Sequence, residues 1–336
     1  MALSDTFSPG LTPVTSSGSS VSNREDLTDT LTILAPEETP VLSSASKQKA
    51  NATFVEWTVD SLAAPSTDGI SEGTDVTQFN DKFASRARLG NYVQKFRRDF
   101  MVSDLQEAVD SVGPAKVAQA EAKAIRELKR DIEATLLSGN NRQAETGALP
   151  YKLRGLKQWL SADNSDVPTE YNTPGTSRST AGATIDETAF NAIIQSIYRE
   201  NGEANNLTLV ADTKLRQQLA DDARFVGQAN SLGTPANADG IRRVSTDMGS
   251  TTIKLSVEIY QSDFGTVSIV NMNPDTAPDT SAQDHGYLIN PDYYGVHELI
   301  PMGSSRLPNM GGGERGFVDC ALTLGVYAPQ AHGIIT

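Results

Sequence analysis

What this chain has little of narrows it first. Cys320 is the only cysteine among 336 residues, so one chain can build neither a disulfide framework nor a cysteine-based zinc site. Its three histidines, His285, His297 and His332, form no HExxH or i,i+4 pair. Surface or loop positions are expected for them, with His332 in an unstructured tail. Neither a GxSxG elbow nor a P-loop occurs. No run of about 18 apolar residues suggests a membrane span, and the first twenty residues lack the charged start and apolar stretch of a signal peptide. A cytosol-like compartment is therefore expected. Basic charge is not in surplus either: a net charge of -14 argues against a general nucleic-acid binder.

Two further patterns fall short of chemistry. Gly311–Gly316 spells GxGxxG, but it follows Pro308-Asn309 and leads into a strand, and Glu314 would repel phosphate. A loop is the expectation there. Cys320 lies on the apolar face of a strand and reads as a small core residue. No catalytic, cofactor-binding or metal-ligating set emerges, and the chain reads as a non-enzyme.

The strongest positive signal is the stretch Ser103–Gly139. Ser103 with Gln106 is a capping-box start, and Gly113-Pro114 breaks a first short helix and restarts a second. From Val117 the larger apolar residues recur at Ile125, Leu128, Ile132 and Leu136, with charged residues opposite. Gly139 is the expected glycine C-cap. Pro114 to Ser138 would make a rod of about 37 Å, long enough to serve as a spine.

Upstream of it, fourteen of residues 1–23 are Ser, Thr, Gly or Pro, the composition of an arm that orders only on a partner. A short helix is expected over Asn23–Leu34, stopped by Ala35–Pro40. Phe54–Val59 alternates as a strand with Val55, Trp57 and Val59 on one face. Residues 60–81 read as a polar tip. Lys82–Val102 is extended again, with Tyr92, Phe96 and Phe100 in the same parity as Arg88 and Arg98. Taken as one strand, Arg86–Val102 would span about 56 Å at 3.3 Å per residue, too long for a hairpin that is stable alone. It reads as an arm lying on a neighbouring molecule, and the subunit is expected to fold without residues 55–100. The window 82–130 holds eleven Lys/Arg against six Asp/Glu, which fits a basic part of one subunit meeting an acidic part of another. Lys95–Arg98 with its aromatics also carries the weaker reading of single-strand nucleic-acid stacking.

Downstream, Tyr151–Leu160 is a short amphipathic piece, and residues 161–183, sixteen of them Ser, Thr, Gly, Pro, Asn or Asp, read as a linker. A capping box at Thr184 and Glu187 opens a helix ended by Gly202. A strand at Leu207–Val210, a helix over Thr213–Ala223 and a polar loop at 227–251 follow. Ile253–Ile259 and Val267–Val270 form a hairpin around Ser262–Gly265. Extended pieces are expected at Tyr287–Asn290 and Tyr293–Ile300, and a last strand at Phe317–Tyr327. Segregated helices and mostly antiparallel strands make the fold class α+β.

This order of elements resembles the Hong Kong 97-type major capsid proteins of tailed bacteriophages. Local wording adds to it: Phe54-Val-Glu-Trp57, Arg88-x-x-Asn91-Tyr92-x-Gln94 and Val102-Ser103; Arg130-Asp-Ile-Glu133 and Leu136–Gly139; Glu145–Gly147; Gly155-Leu156 with Trp159. In the second half the pieces are Ser262–Gly265, Phe317–Tyr327 and Pro329-x-Ala331-His332-Gly333. Asp319 stands where that family would have Glu. The resemblance implies an N-terminal arm (1–49), an extended loop (50–102), a peripheral domain with spine helix and linker (103–183), an axial domain (184–300) and a C-terminal return (301–336). It implies a subunit that assembles with itself, as hexamers and pentamers, into an icosahedral virion capsid in the host bacterial cytoplasm. Such a shell encloses double-stranded DNA without sequence-specific binding, and its other expected partners are a portal and scaffold or decoration proteins. Trp57, Lys82, Arg88, Tyr92, Phe96, Arg97 and Arg98 are the inter-subunit contact candidates. An encapsulin-like compartment shell and a soluble α+β enzyme are the alternatives.

Overall fold

The structure is a computed structural model that describes residues 36–79, 81–83, 85–109, 116–164, 166–179, 185, 187–221, 245–247, 250–252, 259–278 and 285–336. The helix expected over Asn23–Leu34, the Gly113-Pro114 break, the Thr184 cap and most of the 227–258 stretch lie outside those residues.

The spine is helix α3, Lys116–Leu137, after the short helices α1 (Pro40–Ser44) and α2 (Asp104–Ala108). Ser103 caps α2 as its sequence requires, its Oγ accepting from Gln106 N at 3.2 Å. On α3 the fully buried face is Leu128, Ile132, Leu136 and Leu137, extended by Ala124 and Val117. Steps of four keep this stripe on one side of the rod. Each fully buried Leu or Ile contributes about 1.5–3 kcal/mol. The helix ends where expected but not by a left-handed glycine, because Gly139 is not among the positive-φ residues. Hydroxyls take the last carbonyls instead. Ser138 Oγ donates to Thr135 O at 2.7 Å, and Tyr287 Oη to Leu137 O at 3.4 Å. At Gly202, by contrast, φ is +73° and its N–H returns to Tyr198 O, as a glycine cap should.

Across the buried stripe of α3 lies a four-stranded sheet in the order β1-β12-β13-β4. Its strands are Ser46–Lys49, Tyr294–Leu307, Glu314–Val326 and Gln94–Val102. β12 and β13 form a long antiparallel hairpin from Tyr294↔Val326 to Leu307↔Arg315. The predicted apolar face of β13, Val318, Cys320, Leu322, Leu324 and Val326, is buried throughout. Two consecutive strands, β2 (Phe54–Val59) and β3 (Ala87–Tyr92), pair only with each other, as a separate hairpin that lies against the spine core through Trp57, Val59, Ala87 and Leu89.

This corrects the reading of Arg86–Val102 as one strand. The extended stretch is interrupted at Val93, whose N–H turns back to Thr53 O at 2.8 Å. Beyond it β4 pairs with β13 from Gln94↔Leu322 to Val102↔Glu314. Phe96, Phe100 and Val102 are buried with the spine helix in the subunit's own core. A subunit lacking residues 55–100 would lose an edge strand and two core aromatics.

A second sheet runs β5-β14-β11-β6-β10-β9, that is Arg178–Ser179, Gly333–Ile335, Gly286–Ile289, Leu207–Ala211, Gly265–Asn271 and Ile259–Ser262. Its faces serve two cores. Leu207, Leu209, Leu288 and Ile335 pack with Phe190, Ile193, Ile194 and Ile197 of helix α5 (Glu187–Asn201) and Leu215 of helix α6 (Thr213–Asp221). The alternate residues Val210, Tyr287, Ile289 and Ile334 join the core of the spine helix and of helix α4 (Leu156–Leu160). Strand period 2 produces this division, and β11, covered on both faces, is wholly buried. The two halves of the chain thus share one wall. A short pair, β7 (Ser245–Asp247) and β8 (Ser250–Thr252), lies within the stretch expected as polar loop.

The C-terminal tail is structured. His332 is fully buried, and its Nδ1 accepts from Asn290 N at 3.1 Å. His285 and His297 are buried too, which corrects the surface positions expected for the histidines; His285 and His332 lie in loop segments, while His297 is on β12. The stretch 161–183 is no open linker in its described part, since Val167 and Tyr171 belong to the spine core. Ile259, expected on the apolar face of its strand, is exposed, and its neighbour Tyr260 is buried instead.

Candidate assembly surface

The β2–β3 hairpin is anchored to the subunit by polar and aromatic contacts, and the loop that joins its strands is left bare. At the base, Asn91 is fully buried on β3. Its Nδ2 donates to Leu324 O at 2.8 Å and to Arg154 O at 3.1 Å. Its Oδ1 accepts from Arg154 N at 2.8 Å and Tyr92 N at 3.0 Å. Every donor and acceptor of the amide is used. Gln94 adds a bond from Leu153 N to its Oε1 at 3.1 Å. Arg154 itself is buried, with its guanidinium 4.7 Å from the Trp159 ring centre. It donates to Asn141 Oδ1 at 2.9 Å, to Asn164 Oδ1 at 2.7 Å and to Asp166. Burial, and then the neighbouring Arg142, pull the Arg154 guanidinium below its usual range, while Asp166 opposes them. Arg142 in turn donates to Gly90 O at 2.9 Å. A Cβ at Gly90 would sit 2.7 Å from the end of the Phe54 ring, so any larger residue there would have to push that ring aside.

Trp57 on β2 completes the base. Its ring lies 5.7 Å from that of Trp159 and 5.8 Å edge-on from Tyr327, and it stacks near-parallel on His297 at 6.5 Å. His297 Nε2 is 3.0 Å from Tyr327 Oη, and burial lowers its pKa. A little further along, Asp60 and Arg86 close the ordered ladder with a 2.8 Å ion pair. That guanidinium and the Ser85 hydroxyl hold the Asp60 carboxyl below the usual range.

Beyond that pair the chain makes a long excursion with large apolar side chains in water. Leu62 is 99% exposed, Phe79 89% and Ile70 86%, and Val76 and Phe83 are exposed as well. Among the described residues this stretch, expected to be simply polar, carries five exposed large apolar side chains, which fits an interaction surface.

The predicted contact residues divide. Phe96 is buried in the subunit's own core and has no surface to offer a neighbour. Trp57 and Tyr92 are half-buried at the hairpin base, Tyr92 between Phe54 and Tyr151 at 4.5 and 5.6 Å. Arg98 is held by its own spine helix, Nε to Asp131 Oδ2 at 2.5 Å and Nη2 to Oδ1 at 2.7 Å. Lys82, Arg88 and Arg97 are exposed and make no ion pair among the described residues. Much of the basic window is neutralised internally, by Lys95–Asp319, Arg98–Asp131, Arg126–Glu37 and Arg130–Asp275. Sequence reasoning missed Arg154 and the use of Asn91, because a buried polar clamp joins positions far apart in the chain.

Among the described residues no group of three His, Cys, Asp or Glu side chains converges as a metal site. Burial pushes the Cys320 thiol up to about 12, so it is protonated and inert as a nucleophile.

Comparison with known proteins fits that geometry. The major capsid protein of Escherichia phage Phieco32 is 32% identical over 122 residues, 35% of this chain. That match spans about a third, 33%, of the relative's length. The capsid of an empty GTA particle superposes with a TM-score of 0.62 at 14% identity, covering 93% of this chain and 94% of the other. The SrpI encapsulin complex from Synechococcus elongatus gives 0.53 at 11% identity, covering 94% and 91%. These likenesses give the Hong Kong 97-type fold, which phage capsids and encapsulins share. The family description that matches is that of a major capsid protein, which leaves the encapsulin alternative the weaker one. Matching it over residues 12–336, the chain belongs to the SU10 major capsid protein family.

Proposed function

We propose that copies of this chain tile the icosahedral head shell of a tailed phage, reaching each other through the tip of the β2–β3 hairpin. The observation that carries this is the contrast between base and tip. The base is fixed by a fully satisfied buried amide and an aromatic cluster, while the tip holds Leu62, Ile70, Phe79 and Phe83 in solvent. A rigid mount with an apolar end gains its free energy only when a second molecule covers it. Lys82, Arg88 and Arg97 are the exposed charges that would set the register of that contact, and the outward face of β4 is where a neighbouring tip would lie. Many modest contacts repeated over a closed lattice make a stable container.

In this reading residues 1–49 are the N-terminal arm and residues 50–93 the extended loop. The spine core forms the peripheral part, residues 184–300 the axial part at capsomer centres, and residues 301–336 the return. The subunits associate as hexamers and pentamers, with a portal, and with scaffold or decoration proteins as further partners, in the cytoplasm of the bacterial host. An acidic chain suits a container for double-stranded DNA that must later leave, because it holds the phosphates weakly.

The test is electron microscopy of the purified full chain beside a variant in which residues 62–84 are replaced by a short glycine turn. The ladder Val59↔Ala87 stays intact in that variant. Shells or capsomers from the parent and a folded, unassembled subunit from the variant are expected. Intact shells from the variant would overturn the hairpin's role. A monodisperse parent under every condition, with scaffold or lysate supplied, would overturn the shell itself.

A further inference from the structure

We propose that Glu133 is a proton-responsive latch that holds the segment 36–50 against the spine helix. Glu133 sits on the buried face of α3, fully enclosed. Its two oxygens are taken by backbone donors of α1, Val41 N to Oε1 and Leu42 N to Oε2, both at 2.8 Å. No lysine or arginine pairs with it among the described residues. A carboxylate in such a place is costly without a cation beside it, and an apolar residue would fill the stripe between Ile132 and Leu136 without that cost. What the carboxyl adds is a bond to the segment that covers it.

The remaining tethers of 36–50 are of another kind. Asn273 Nδ2 donates to Pro36 O and Glu38 O, each at 3.1 Å. Arg126 pairs with Glu37 at 3.0 Å on the surface. Ser44 Oγ lies 2.5 Å from Tyr294 Oη, and β1 runs parallel to β12 from Ser46↔Gly295. Around the latch α1 contributes no charged side chain. β4 contributes Arg98, bound to Asp131. α4 contributes Lys157, 3.4 Å from His285 Nε2. On α3 itself Arg126 and Arg130 are paired with Glu37 and Asp275, and Lys129 is exposed. The Cys320 thiol of β13 and the Tyr294 phenol of β12 are both pushed up to about 12 by burial, and the His332 imidazole is pushed down to about 4.

The direction follows from burial. Desolvation raises the Glu133 carboxyl from 4.5 to about 7, against the pull of the two N–H donors. With the segment lifted away the side chain would be a wet helix-surface glutamate with an ordinary value. The docked state therefore binds the proton more tightly. Docking is strongest below about pH 4.5 and weakens as pH rises toward 7, by on the order of a hundredfold between pH 5 and 8. These contacts all lie within one subunit, so the latch does not depend on shell formation.

Hydrogen exchange of the Val41 and Leu42 amides in the full chain, corrected for intrinsic rates, reads the docking directly. Protection is expected to fall on the order of a hundredfold from pH 5 to 8 in the parent. In Glu133→Gln, which cannot ionise, it is expected to stay level. Asn273→Ala, which loosens the same segment without touching the carboxyl, is expected to lower protection while keeping the slope. Flat protection in the parent, a slope that persists in Glu133→Gln, or a slope lost in Asn273→Ala would each overturn the latch. The parent and the Asn273 variant decide the matter even if the glutamine variant does not fold.

Discussion

Asn91 on β3 and Leu324 on β13 stand 233 positions apart and are joined by a 2.8 Å hydrogen bond from the buried Asn91 amide to the Leu324 carbonyl. The bond locks the β2–β3 hairpin to an inner strand of the four-stranded sheet. Asn91→Leu keeps the size but takes the amide partner from Arg154 N, Arg154 O, Tyr92 N and Leu324 O. Orphaned buried groups cost about 1–3 kcal/mol each when water cannot reach them. A loss of about 2–5 kcal/mol in urea denaturation is expected. A loss below about 0.5 kcal/mol, the range of an ordinary surface change, would mean that aromatic packing alone holds the hairpin.

His332 sets the acid limb of stability. Its ring is enclosed, its Nδ1 accepts from Asn290 N, and burial lowers its pKa to about 4. In the unfolded chain the value is near 6.5. The folded state thus resists the proton, and the stability His332 confers is complete above about pH 6.5 and is lost as pH falls through 4. The full span is about 3 kcal/mol. Glu133 acts in the opposite sense, so the informative quantity is a difference between two curves. His332→Asn keeps an acceptor for Asn290 N and cannot be charged. The parent is expected to lose stability relative to this variant between pH 6.5 and 4, measured by denaturant titration at each pH. Parallel curves would place the acid limb elsewhere.

The elements that were legible are those whose pattern is local. The stripe Leu128-Ile132-Leu136 and the alternation from Val318 to Val326 need no knowledge of a partner to be read as helix and strand, and both are buried as written. The break at Val93 was not legible. Its cause is a hydrogen bond to Thr53 O, forty residues back, and parity runs through it unbroken in the letters. Phe96 and Phe100 looked like a face in need of another molecule because nothing in their own neighbourhood shows that α3 will cover them. The buried His332 was hidden for the same reason: its cover, Tyr294 and Asn290, comes from distant sequence. Among the proposed contact residues, burial and internal pairing separate the exposed Lys82, Arg88 and Arg97 from those that the subunit uses itself.

Arg97 and Arg98 are adjacent, identical in type and opposite in role, so charge reversal should separate their effects. Strand alternation turns Arg98 toward the spine helix, where Asp131 holds it with two bonds, and turns Arg97 outward, beside Asp319 across the ladder. Arg98→Glu sets a carboxylate against Asp131. Because that pair is substantially exposed, the loss is expected to be about 1 kcal/mol of subunit stability, with assembly reduced in step. Arg97→Glu is expected to leave denaturation within about 0.5 kcal/mol of the parent. It should still weaken assembly, more at low than at high ionic strength, because an exposed contact between subunits is screened by salt. Light scattering of assembly reactions across a salt series distinguishes the two. If Arg97→Glu assembles like the parent at every ionic strength, or is impaired equally at all of them, Arg97 makes no electrostatic contact with a neighbour, and the register of the tip must rest on Lys82, Arg88 and the apolar side chains.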